Sequence, residues 1–88
     1  FRSDIYGLGV VLFELFTGRL PFTGDSAVQI VLHHMQTPPP APRSINSQIP
    51  ADLEAVILRC MEKDPANRFQ TVDALNEALN AISERQAA

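Results

Sequence analysis

The sequence predicts an all-α chain. Four segments carry apolar residues at helical spacing and none makes a convincing strand. The seven Pro and four Gly lie mostly between those segments, where chain-breaking residues belong. The first segment carries a further signal. It is apolar almost all the way round, and such a helix must be covered on every side. A chain of 88 residues has little protein to supply that cover, so the pattern is expected of a piece of something larger.

The first helix is expected over about 4–17, with Ser3 as its cap and Gly18 in the left-handed position that closes a helix. Leu20-Pro21-Phe22 then reads as a turn with two apolar anchors. The second helix is expected over about 26–36, where Ser26 and Gln29 have capping-box spacing. Its stripe is Val28, Val31, Leu32 and Met35.

Residues 37–49 read as one long loop, because Pro38, Pro39, Pro40 and Pro42 disfavour helix and favour extended polyproline geometry. It is either a stiff connector or a docked ligand segment, since Pro39 and Pro42 have the PxxP spacing. The third helix is expected over about 51–62, with Pro50 near its first turn. Leu53, Val56, Ile57, Cys60 and Met61 form the clearest amphipathic stripe in the chain. Asp52 and Glu54 suit the positive end of its dipole, Arg59 and Lys63 the negative end. The fourth helix is expected over about 72–85 with Thr71 as its cap, a seam of Val72, Leu75, Leu79 and Ile82, and a frayed end at Gln86-Ala87-Ala88.

Composition excludes several classes of function. A net charge of -3 leaves no basic face for nucleic acid, and no Lys/Arg block exists to hold an anionic membrane. The single cysteine, Cys60, allows no internal disulfide, which fits a reducing compartment. No apolar run approaches the ~20 residues of a membrane span, and the start has no signal-peptide pattern. Phe1 is not an initiator Met, which is expected of a processed or excised segment.

Local motifs for chemistry are weak. Gly7-Leu8-Gly9 is no nucleotide fingerprint, since position 12 is Leu and the run lies inside a helix. His33 and His34 are adjacent, so they point to different sides of a helix and do not share a metal by helical spacing. No G-x-S-x-G elbow supports a serine triad. Cys60 lies on an apolar stripe, where core packing is the natural role.

Three motifs in order carry a family resemblance that covers nearly the whole chain. Asp4-Ile5-Tyr6-Gly7-Leu8-Gly9 is similar to the D-x-x-x-x-G opening of the central helix in the protein kinase large lobe. Gly18-Arg19-Leu20-Pro21-Phe22 resembles the turn after that helix. Cys60 to Arg68 resembles the late C-L-x-x-D-P-x-x-R element, with Met61 in place of Leu. The Asp-Ile-Tyr opening and the Pro-Phe ending look most like bacterial-type serine/threonine kinases. Gly7 departs from the serine most common there.

The resemblance implies a four-helix segment of the kinase-like large lobe, a buried central helix with three amphipathic helices. Residues 1–88 would be the C-terminal helical part of the catalytic domain, with the N-terminal lobe and catalytic loops absent. The parent reaction would be transfer of the ATP γ-phosphoryl group to protein Ser or Thr with magnesium. This chain would bind neither ATP nor magnesium and would catalyse nothing alone, because the Gly-rich loop, strand Lys, catalytic-loop Asp and Asn, and Asp-Phe-Gly element are not in it.

By the same resemblance, Asp4 accepts hydrogen bonds from the catalytic-loop backbone, Gly9 allows close approach of a neighbouring segment, and Arg68 pairs with the glutamate of an A-P-E motif that this chain lacks. In the chain alone the Arg68 guanidinium is expected to be solvated. Leu20, Pro21 and Phe22 are candidate substrate-docking residues. The implied partners are the rest of the kinase domain and protein substrates or regulators, with self-association of the segment alone; nucleic acid and membrane are not among them. The implied location is cytoplasmic, with any membrane anchor of the parent beyond this segment. Two alternatives stay open, a stand-alone helical interaction module and a pseudokinase fragment without catalysis.

Overall fold

A computed structural model describes residues 2–87, and the side chains of residues 4–84. Among them are five α-helices, one 3-10 turn and no strand. The helices are α1 (Arg2–Thr17), α2 (Ala27–Gln36), α3 (Pro42–Ile45), α4 (Ala51–Cys60) and α5 (Val72–Ala87), with the 3-10 turn at Pro65–Asn67 between the last two. The all-α expectation holds, with one helix more than the sequence pattern predicts.

That extra helix is a correction. Pro42 is expected to disfavour helix, yet it starts α3. At the first position of a helix the missing N–H has no intrahelical partner to lose, and the fixed φ suits the turn. Pro42 is also buried, so the Pro39/Pro42 pair is no exposed polyproline ligand. Two other boundaries move. Ser3 lies inside α1 and not before it, with its side chain outside the described residues. The third expected helix, α4, stops at Cys60 and not at 62. The helix at the other end runs through Ala87; residue 88 of the expected frayed end lies outside the described residues.

The other caps follow the sequence. Gly18 has φ +75 and donates its N–H to the Glu14 carbonyl at 2.8 Å. Ser26 accepts from the Gln29 N–H at 3.2 Å, while the Gln29 side chain reaches past Ser26 and accepts from the Asp25 N–H at 2.9 Å. Thr71 Oγ1 accepts from the Ala74 N–H at 3.0 Å.

The core sits where α1, α4 and α5 meet. Ile5 and Phe13 of α1 are fully buried, as are Ile57 and Cys60 of α4, with Leu75 and Ile82 of α5 closing one edge. Every expected stripe residue of α4 is buried, including Met61 just beyond it. Polar contacts tie the short α3 to its neighbours. The Arg43 N–H donates to Glu54 Oε2 at 2.9 Å, and Asn46 Nδ2 donates to the Phe16 carbonyl at 3.1 Å.

The fold is a slab of 44 × 29 × 15 Å. The other helices leave one side of α1 uncovered. On that side Val11 is 60% and Leu15 71% exposed beside Leu8 and Phe16. A helix expected to be buried all round is left open along these residues. The α2 stripe is equally open, with Val28 68% and Met35 64% exposed. Val72, expected in the α5 seam, is also exposed.

Candidate functional site

Two features of the fold position everything else. One is the contact of α1 with α4. A Cβ added to Gly9 would lie 2.6 Å from the Cys60 Cβ and 2.9 Å from the Met61 Cγ, so only a residue without a side chain lets the helices approach this closely. Burial pushes the Cys60 thiol up from its ordinary 9.0 to about 11. A thiol so reluctant to ionise is core packing and no nucleophile.

The other feature is a cluster of aromatic and cationic side chains from four parts of the chain. Tyr6 of α1 places its hydroxyl 2.7 Å from His34 Nδ1. The Phe22 ring, in the turn before α2, stacks on His33 with centroids 5.8 Å apart and meets His34 edge-on at 4.9 Å. Lys63, beyond α4, donates to the carbonyls of His34 at 2.8 Å and His33 at 3.3 Å. It thereby supplies positive charge at the negative end of α2. Its ammonium also lies 4.6 Å from the Phe22 ring centre, a cation–π distance.

Arg68 completes the cluster. Its Nε donates to the Glu62 carbonyl at 2.7 Å and its terminal nitrogen to the Lys63 carbonyl at 3.2 Å. Its guanidinium carbon lies 4.8 Å from the Tyr6 ring centre. Crowding has a cost in ionisation. Burial lowers the Lys63 pKa, and Arg68 lowers it further. Burial lowers His34 too, with Lys63 and His33 adding to the effect. Tyr6 is raised by burial and partly relieved by Arg68.

The structure places the expected site residues apart. Asp4 is exposed in the first turn of α1. Gly9 is buried one turn and more further on, against α4. Arg68 is half-buried and held by two carbonyls and a ring, which corrects the expectation of a solvated side chain. The reason is local: the chain turns back after Cys60, and the Glu62 and Lys63 carbonyls in that turn, which lie beyond α4, take the guanidinium as their donor. Of the three candidate docking residues only Leu20 faces outward; Pro21 and Phe22 are buried, Phe22 beneath the two histidines. Lys63 also departs from expectation, since it serves the end of α2 and not that of α4.

Sequence reasoning does not find the cluster. Adjacent histidines raise the question of a metal, but His33 Nδ1 is engaged with Thr37 Oγ1 at 2.9 Å and His34 with Tyr6. No group of three or more His, Cys, Asp or Glu among the described residues is placed to hold a metal.

A family model described as protein tyrosine and serine/threonine kinase matches residues 1–79. Among curated proteins the chain is 49% identical over 72 residues to serine/threonine-protein kinase PrkC of Bacillus subtilis, covering 82% of this chain and 11% of that protein. It is 41% identical over 88 residues to serine/threonine-protein kinase PksC of Streptomyces coelicolor, covering 99% and 16%. It is 47% identical over 70 residues to serine/threonine-protein kinase PknB of Mycobacterium tuberculosis, covering 80% and 11%. The chain therefore spans between a tenth and a sixth of the length of these relatives. A match over that share of its residues makes this chain a member of the protein kinase family.

Proposed function

We propose that these residues form the C-terminal helical part of a serine/threonine kinase catalytic domain, and that the whole protein transfers the ATP γ-phosphoryl group to Ser or Thr of protein substrates with magnesium. In this reading the chain is scaffold and docking surface. The groups that handle phosphate and metal come from sequence outside it, as does the cover for α1.

One observation supports the reading most. The open side of α1 and the start of α5 enclose an apolar groove of about 190 Å³, lined by Leu8, Val11, Leu12, Val72, Leu75 and Leu79. An apolar surface of that kind, running into an exposed flank at Leu15, is made for other protein to lie on. Asp4 lies in the first turn of α1, about one turn before Leu8, where an acid suits the positive end of the helix dipole. The outer stripe of α2, together with the exposed Leu20, is the surface offered to substrates or regulators. No helix among the described residues is long and apolar enough to cross a membrane.

The full-length protein, given ATP, magnesium and a generic protein substrate, is expected to yield phosphoserine and phosphothreonine. The 88-residue chain alone is expected to yield neither. Val31→Asp, on the α2 stripe, should raise KM for the protein substrate and leave transfer to a short peptide unchanged. A full-length protein that transfers nothing, and whose sequence before Phe1 lacks H-R-D, D-F-G and A-P-E elements, would return the chain to the class of interaction modules.

A further inference from the structure

Helix α2 has no buried residue. The helix pairs that pack extensively join α1, α3, α4 and α5, and α2 is in none of them. Its apolar stripe looks outward, so hydrophobic burial does not fix it. Its long-range polar and ring contacts are gathered in one turn, at His33 and His34. They are the Tyr6 hydroxyl on the His34 ring, the Phe22 ring against both imidazoles, and the Lys63 ammonium on both carbonyls.

We propose that the His34 imidazole is a protonation-sensitive latch for α2, docking the helix when the ring is neutral and releasing it when the ring is charged. The reading concerns how α2 is held and is independent of which partner meets its outer face.

The charged groups that face His34 favour the neutral ring. From α1 comes Tyr6, whose hydroxyl donates to Nδ1 when that nitrogen carries no proton. From the turn before α2 comes Phe22, an uncharged ring. On α2 itself is His33, and beyond α4 is Lys63, both acting to keep the imidazole unprotonated. Arg68 lies behind them, over the Tyr6 ring. Adding a proton to Nδ1 turns an acceptor into a donor. The Tyr6 hydroxyl must then send its hydrogen elsewhere, and the His34 carbonyl, already serving Lys63, is 3.5 Å away. The new charge also sits among cations in a half-buried place.

The sign follows. The docked ring is harder to protonate than a released one. Docking is therefore complete above the ordinary histidine value of about 6.5 and weakens as pH falls below it. Each unit between the docked and released values is worth about tenfold in the docking equilibrium.

The test is amide hydrogen exchange by mass spectrometry on the full-length protein between about pH 7.5 and about pH 5, the range in which histidine titrates. Rates are corrected for the intrinsic pH dependence of exchange. Protection over Ala27–Gln36 is expected to fall several-fold as the pH drops, while that over Ala51–Cys60 does not. The step should vanish in His34→Gln and persist in His33→Gln, and Tyr6→Phe should lower α2 protection already at neutral pH. Wild-type α2 protection that tracks α4 through the whole range overturns the latch, and needs no variant to fold. A step of undiminished size in His34→Gln, or one lost in His33→Gln alone, overturns it as well.

Discussion

Gly9 and Cys60 meet with no space for a side chain between them: a Cβ at position 9 would stand 2.6 Å from the Cys60 Cβ. This one approach sets the distance between α1 and α4, and through it the placing of Tyr6 against the segment that carries Lys63 and Arg68. Two glycines on the same helix make the point testable, because Gly7 has nothing within 4 Å of the place where its Cβ would be.

Gly7→Ala and Gly9→Ala should therefore move stability in opposite directions. At Gly7 the added methyl group enters open space, and the change gains helix propensity of about 0.5–1 kcal/mol. At Gly9 the same gain is outweighed by overpacking that costs about 1–3 kcal/mol. Denaturant midpoints measured on the pair check this, and a Gly9→Ala protein at least as stable as wild type would remove the close approach from the account.

The fold is legible where its signal is local. The α4 stripe from Leu53 to Met61 repeats at helical spacing, and all of it is buried. Gly18, Ser26 and Thr71 close or open helices because a cap needs only its nearest neighbours. The Tyr6 cluster is not legible, because its partners lie about 30 positions apart in the chain: Tyr6 and His34 are separated by 28, Lys63 and His34 by 29. Periodicity says which face of a helix is apolar and nothing about which helix end it meets. By sequence Lys63 suits the dipole of α4, the nearest helix end, yet the fold brings the end of α2 closer. Phe22 follows a glycine turn and reads as a docking residue, while the two histidines that cover it come eleven and twelve positions later.

Arg68→Lys should not be conservative. The guanidinium spans two carbonyls, of Glu62 and Lys63, while lying over the Tyr6 ring. A single ammonium cannot hold both and stack at once. A loss of about 1 kcal/mol is expected from the broken hydrogen bonding. The chain has one tyrosine and no tryptophan, so its intrinsic fluorescence reports the Tyr6 environment directly and should change in the folded variant. An unchanged midpoint together with an unchanged Tyr6 spectrum would show that the guanidinium contributes nothing here.

Cys60 gives a prediction at alkaline pH. Its thiol ionises at about 11 in the fold against 9.0 ordinarily, so the unfolded chain releases a proton that the folded chain keeps. The stability carried by the neutral thiol is whole below pH 9.0 and is lost as pH rises toward about 11. Within that window the slope is about 1.4 kcal/mol per pH unit. Cys60→Ala lacks the group and should show a shallower loss over the same interval, even though its starting stability is lower. Equal slopes for the two proteins would mean that the thiol titrates as if exposed.

The uncovered side of α1 sets the behaviour of the chain on its own. Leu8, Val11, Leu15 and Phe16 are all exposed there, by amounts that together equal about two whole side chains, and cover for them is worth about 3–6 kcal/mol at about 1.5–3 for each whole side chain. The whole stability of an ordinary domain is about 5–15 kcal/mol. An isolated chain with that much apolar surface in water gains by burying it against another copy or by loosening its packing. It should bind a hydrophobic dye, or elute as an oligomer, under conditions where a complete kinase domain does neither. Val11→Gln with Leu15→Gln should reduce both signals, because these two are the most exposed apolar side chains of α1 and neither belongs to the core shared with α4. A dye-silent monomer that melts in one cooperative step would show that the slab satisfies α1 unaided, and the need for further protein over that helix would be gone.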